Sequence, residues 1–187
     1  SKDGAAVKTD CGFSILPRSG LAQCPQADVL CVPGGHGVRD AIADQVIVDF
    51  VRQQANGAGY ITSVCTGAFI LGAAGLLQGK KATCHWAYTH LLPLFGAMHQ
   101  PARVVRDGNV ITAGGVTSGI DFALELIAAI SGEDVARTIQ LALEYDPAPP
   151  FGGGSLARSN HETVRHLRAS VYDQAAAEME IAIKSII

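Results

Sequence analysis

With 187 residues, 48% of them hydrophobic and only 17% charged, the chain reads as one globular domain, since a chain of this length buries roughly 70% of the surface its unfolded form exposes. A formal net charge of −3 with no basic cluster excludes the electrostatic footprint of a nucleic-acid binder, and the longest uncharged apolar-plus-glycine run, Gly67 to Leu77, is short of the ~18 residues that span a bilayer. Ser1-Lys2-Asp3-Gly4 opens no apolar signal region, and five cysteines without a Cys-x-x-Cys pair speak against a disulfide framework or a metal knuckle, so a reduced, cytoplasmic, metal-free protein is predicted.

Asp28-Val-Leu-Cys-Val32 is a short apolar run stopped by Pro33-Gly34-Gly35, the pattern of a strand buried on both faces. From Ala43 to Asn56, Ile47, Phe50, Val51 and Gln54 fall at helical spacing, with Gly57 as the stop. Tyr60-Ile-Thr-Ser-Val64 is a second strand and leads directly into the apolar helix Gly67 to Leu77. Lys81 to Cys84 reads as a short strand, His85 to Phe95 as a helix interrupted near Pro93, and Val110 to Thr112 as a strand before Gly114-Gly115. Gly119 to Ile130 and Val135 to Leu143 read as helices. This alternation predicts a doubly wound, mostly parallel α/β sheet with helices on both faces. Asp146 to Gly154, rich in proline and glycine, is a loop. Beyond it, Val164, Leu167, Val171, Ala175, Met179, Ile183 and Ile186 form the stripe of a long amphipathic helix, packed on its own domain or on a dimer partner. Residues 1–155 are thus expected to form the domain and residues 156–187 its terminal helix.

Cys65 occupies the tight strand-to-helix turn that exposes nucleophiles at the carboxyl edge of α/β sheets. The N–H groups of the helix start favour negative charge there, which predicts a thiol more thiolate-like than a free cysteine. Pro33-Gly34-Gly35-His36-Gly37 ends the preceding strand at the same edge, making the backbone N–H groups of Gly35 and Thr66 candidate oxyanion donors. His36 is a candidate pocket residue. The Thr66 hydroxyl can bond a substrate or merely cap the helix. His85, after the next strand, either orients or deprotonates a group near Cys65 or is structural. Asp121 reads as a first-turn acid of structural role, and Cys31 and Cys84 as core residues.

Ser63-Val-Cys-Thr-Gly67, Val32-Pro-Gly-Gly35 and Ala82-Thr-Cys-His-Trp-Ala87 together resemble the ThiJ/PfpI superfamily, with its class I glutamine amidotransferase-like, flavodoxin-like fold. Within it the chain is most similar to the isocyanide hydratases, through Leu71 to Gly79, Arg103 to Asn109, Gly114 to Asp121 and the proline-rich Gln140 to Phe151. The resemblance implies cofactor-free hydration of an isocyanide to an N-substituted formamide, with Cys65 as nucleophile attacking the isocyanide carbon to give a thioimidate. It also implies Gly35 and Thr66 at the oxyanion-binding positions and Gly115, Val116 and Thr117 in a linker packed against the nucleophile's helix; the apolar terminal helix and the low charge point to a homodimer. The family opens with a strand–helix–strand unit that carries a proton-managing acid. This sequence starts just before Thr9-Asp10-Cys11, so the resemblance implies that this unit, about 30 residues or more, is missing and that the chain alone is inactive or poorly folded. Two other readings stay open: the ligand-sensing half of a transcription regulator, disfavoured because no basic helix-turn-helix follows, and another cysteine-dependent enzyme of the superfamily, glyoxalase-like or hydrolytic.

Overall fold

The computed structural model describes residues 1–9 and 11–187; Asp10 lies outside the described residues. Two short strands, β1 (Val7–Lys8) and β2 (Ser14–Ile15), pair antiparallel near the N-terminus. Then follow β3 (Val29–Val32), α1 (Val38–Ala43), α2 (Gln45–Gly57), β4 (Tyr60–Val64) and α3 (Ala68–Ala73). β5 (Lys81–Ala82), a 3₁₀ helix Trp86–Phe95, β6 (Met98–His99), β7 (Val104–Asp107) and β8 (Val110–Ala113) come next. The last elements are α4 (Ser118–Ser131), α5 (Glu133–Ala142), α6 (His161–Leu167), a π-turn Arg168–Tyr172 and α7 (Asp173–Lys184). Among the described residues no helix is long and apolar enough to cross a membrane.

The main sheet has the order β3-β4-β8-β7. β3, β4 and β8 run parallel, with Val32 level with Ser63 and Val64 level with Ala113, so the chain leaves all three strands at one edge. β4 and β8 are rich in β-branched residues suited to a pleated surface covered on both sides, and their threonines Thr62 and Thr112 are hydrogen-bonded, whereas the buried Ser63 hydroxyl has no hydrogen-bond partner among the described residues. The Thr62 hydroxyl donates to the Leu30 carbonyl at 2.9 Å, and the Thr112 hydroxyl oxygen accepts the Thr83 N–H at 2.9 Å. The larger core lies on the face covered by α1, α2, α3, the 3₁₀ helix and α7, with Phe69, Leu71, Leu77, Leu92 and Ile183 fully buried. A smaller one, Ile111, Ala113 and Phe122, lies under α4. Helices therefore cover both faces, as the alternation of elements predicts.

Five details depart from the sequence reading. The helix expected from Ala43 to Asn56 forms as α2 but starts at Gln45, because the Asp44 carboxylate accepts the Val46 N–H at 3.1 Å and caps it, and a separate helix α1, not expected, precedes it. β3 is an edge strand, and Cys31 is exposed on it because no described element covers that side of the strand. The strand expected through Cys84 stops at Ala82 and pairs with β6 in a separate ribbon, since the Thr83 N–H is taken by a side chain. β7, not foreseen, runs antiparallel to β8 through a tight hairpin in which Gly108 takes φ +67°, the Gly-first loop that matches strand twist. In the terminal helix Leu167, Val171 and Ile186 are exposed, and the inward side instead passes through Arg168 and Tyr172 to Ala176, Met179 and Ile183.

Candidate active site

Every feature of the Cys65 turn follows from how closely two loops approach each other at the carboxyl edge of the sheet. β4 ends at Val64, and Cys65 enters a 3₁₀ turn Cys65–Gly67 with φ +60°, rare for a residue with a β-carbon. The Cys65 N–H is anchored by the Gly114 carbonyl at 2.8 Å, which ties the turn to the loop after β8. A β-carbon on Gly34 would lie 2.7 Å from the Thr66 nitrogen and 2.8 Å from the Cys65 β-carbon. One on Gly67 would overlap the Val32 carbonyl oxygen. Only hydrogen at these two positions lets the loop after β3 lie against the start of the helix.

That contact places the Gly35 N–H 3.1 Å from the Thr66 hydroxyl oxygen, to which it donates. The backbone N–H and the hydroxyl of Thr66 in turn hydrogen-bond the Cys65 sulfur and lower its pKa. Burial outweighs them, and the Cys65 thiol is pushed up. The expectation of a more thiolate-like cysteine is thus corrected: desolvation of the sulfur outweighs the hydrogen bonds from the Thr66 N–H and hydroxyl.

Cys65 opens into a largely apolar cavity of about 340 Å³. Gly35, His36, Thr66, His85 and Val116 line it as well, so residues picked from four separate stretches of sequence meet at one place. Gly115 stands behind the wall, where a β-carbon would lie 3.2 Å from the His85 ring. Burial holds the His85 pKa below its ordinary value, and its Nδ1 accepts the Ala87 N–H at 3.3 Å. The ring is therefore a neutral imidazole carrying its proton on Nε2. Thr117 and Asp121 brace the start of α4 rather than line the cavity: both bond Arg103, and Asp121 also accepts the Tyr145 hydroxyl at 2.6 Å. Cys84 is a buried core residue with its thiol pushed up strongly by burial. Among the described residues no group of histidine, cysteine and acidic side chains could hold a metal ion.

The other half of the wall was not foreseen. Tyr88 comes from the 3₁₀ helix, Arg39 from α1, and Tyr172, Ala175, Glu178 and Met179 from the terminal helical stretch. The Arg39 guanidinium meets the Glu178 carboxylate at 2.6 Å and links α1 to α7 at the cavity. His85, Trp86, Tyr88 and Tyr172 form one ring cluster, with centroid separations of 5.1 to 6.1 Å between Tyr172 and the other three. A His-Trp-x-Tyr spacing signals nothing by itself, and the docking of the terminal helix brings Tyr172 into the cluster.

The DJ-1/PfpI family model matches residues 1–129. The chain belongs to the DJ-1/PfpI family. Over 190 aligned residues this family member is 48% identical to the isonitrile hydratase of Pseudomonas putida, a match covering 96% of the chain and 83% of that protein. Its structure is similar to a ThiJ/PfpI family protein from Pseudomonas syringae, with a TM-score of 0.88 and 40% identity over 100% of this chain and 76% of that one. The flavodoxin-like α/β fold expected from the sequence is the fold observed. A helix-turn-helix-type transcriptional regulator of Pseudomonas aeruginosa is 29% identical over 78% of the chain, a stretch that makes up 40% of the regulator.

Proposed function

We propose that this DJ-1/PfpI protein is an isocyanide hydratase that converts an isocyanide and water to an N-substituted formamide. The observation that carries the reading is Cys65: a cysteine held at φ +60° on a strand-to-helix turn, hydrogen-bonded by Thr66 and opening into a largely apolar cavity. Its likeness to an isonitrile hydratase, isonitrile being another word for isocyanide, supports the choice of substrate.

An isocyanide is uncharged and presents a divalent terminal carbon, which a thiol can add across without a cofactor. In the first step the Cys65 sulfur bonds that carbon. The thiol proton passes to the same carbon through the Thr66 hydroxyl, giving the thioimidate R–N=CH–S–Cys65. The Gly35 N–H, already donated to the Thr66 oxygen, holds that hydroxyl in place for the relay. Water then adds to the C=N carbon, its oxygen bonding carbon and one proton going to nitrogen. The resulting R–NH–CH(OH)–S–Cys65 collapses as the C–S bond breaks and the hydroxyl proton returns to sulfur, releasing R–NH–CHO and the thiol. With the Gly35 N–H committed to the Thr66 hydroxyl, the Thr66 N–H beside the sulfur is the donor this reading offers to the oxygen that develops charge in this collapse. A thiol that is protonated near neutrality supplies its own proton for the first step, so its raised pKa fits the chemistry.

The test is formamide production from a simple aliphatic isocyanide, followed by NMR, with Cys65→Ala as the comparison. Against the expectation of an inactive chain, the hydratase reading expects wild type to turn over and Cys65→Ala to fall to the uncatalysed background; turnover that survives the substitution overturns the covalent mechanism. The similarity to a transcriptional regulator favours one second reading, a ligand-sensing domain. Saturable isocyanide binding without formamide in the wild-type chain would be its signature.

A further inference from the structure

The terminal helical stretch changes pitch where it meets the cavity. Counted forward from Val164, a regular helix turns Leu167 and Val171 inward. The π-turn Arg168–Tyr172 inserts an extra residue into that turn, and Leu167 and Val171 are left 38% and 54% exposed while Arg168 and Tyr172 face the protein. The Arg168 guanidinium lies 5.6 Å over the Trp86 ring. Tyr172 stands 5.1 Å from both His85 and Trp86, edge-on to the latter, and 6.1 Å edge-on to Tyr88. These contacts set the Tyr172 ring in the wall of the Cys65 cavity, beside Ala175 and Met179 from the next turns of the helix. π-turns cluster at functional sites because the irregular pitch costs helix stability and re-aims a side chain. Here the side chain it aims is the one that completes an aromatic wall beside the nucleophile.

We propose that Tyr172 is a specificity-determining residue: with Tyr88 and Met179 it binds the substituent of the isocyanide, so that aryl isocyanides are taken in preference to methyl isocyanide. The inference rests on the hydratase reading, and it concerns ground-state binding of the substituent rather than the reacting carbon. Ring-on-ring contact in such a wall predicts a change of about ten-fold in KM for an aryl substrate.

Steady-state hydration of phenyl isocyanide and methyl isocyanide is compared in wild type, Tyr172→Ala, Tyr172→Leu and Tyr172→Phe. Tyr172→Ala is expected to raise KM for phenyl isocyanide about ten-fold with kcat within about three-fold, and to change methyl isocyanide by less than about two-fold. Tyr172→Leu, which keeps apolar volume but no ring, follows Ala for the aryl substrate, and Tyr172→Phe restores wild-type values. Equal effects on both substrates, a loss confined to kcat, or failure of Phe to rescue overturns the assignment while leaving the hydratase reading in place. Absence of turnover in wild type sinks the hydratase reading instead. The cavity is then probed with N-phenylformamide through the fluorescence of Trp86, the one tryptophan of the chain. Saturable quenching that Tyr172→Ala weakens keeps the aryl-binding assignment; no saturable quenching in wild type removes it too.

Discussion

At Cys65 the backbone holds φ +60° although the residue carries a β-carbon, a conformation that costs on the order of 1 kcal/mol and that only glycine adopts freely. The cost is offset by the anchoring of the Cys65 N–H on Gly114 and by the packing of the turn against Gly34. Both Cys65→Ala and Cys65→Gly should be inactive, yet Cys65→Gly should be the more stable of the two by about 1 kcal/mol in urea denaturation; equal midpoints would mean that no strain is stored at the turn. His85 supplies a second test. Burial lowers its folded-state pKa, so below the ordinary imidazole value the unfolded chain takes up a proton that the folded chain resists. Stability present above about pH 6.5 is therefore lost as pH falls from there toward the folded value. His85→Asn keeps a side-chain acceptor for the Ala87 N–H and should show a smaller drop in stability between about pH 7.5 and about pH 5.5 than wild type. Cys65, Thr66, Gly35 and His85 were all legible in sequence because each ends or follows a strand. The net direction of the Cys65 pKa was not, because it depends on how much water the neighbours exclude.

The elements divide in the same way. Runs such as Tyr60–Val64 and Val110–Ala113 announce themselves by β-branched composition, but the burial on both faces expected of Asp28–Val32 is found in these two strands and not in β3, where Cys31 is exposed. β7 announces itself less, yet Asp107-Gly108-Asn109 between two apolar pairs is a hairpin signal. The terminal helix is the instructive case. Its apolar residues repeat at helical spacing through Leu167 and Val171, but the π-turn moves the inward face by one residue, and Arg168 and Tyr172 occupy it. Below the turn Ile183 is fully buried in the main core. Ile183→Ala should cost about 2–4 kcal/mol in denaturation. Because α7 packs on α1 and on the 3₁₀ helix, the same change should also loosen the Arg39–Glu178 link at the cavity. A loss below about 1 kcal/mol would show that the helix is not integral to the core.

Across the whole molecule, the two faces of the sheet are unequally filled. The core under α1, α2, α3 and α7 is extensive, whereas that under α4 is small, and β3 leaves Cys31 uncovered at the sheet edge. The five cysteines sample this asymmetry: Cys11 and Cys31 are exposed, Cys24 and Cys65 half-buried, and Cys84 buried. A maleimide should label Cys11 and Cys31 first and Cys84 only at the rate at which the chain opens globally, as read by mass spectrometry of timed digests. Labelling of Cys84 as fast as Cys31 would contradict the packing around the 3₁₀ helix. The sequence reading of Cys31 as a core residue fails for a reason that belongs to this scale, since strand burial depends on which elements flank the strand and not on its own pattern.

The amino-acid sequence by itself determined the alternation of strands and helices, the mostly parallel character of the sheet, the cysteine at the strand-to-helix turn and the small residues that let two loops meet there. These follow from local rules of period, steric size and backbone conformation. The tertiary structure decided the rest: the balance of desolvation against hydrogen bonds at the Cys65 sulfur, and the aromatic wall that Tyr172 completes from more than eighty residues away in the chain. Both depend on which groups the fold brings together and how much water they exclude, quantities that no local stretch of sequence encodes.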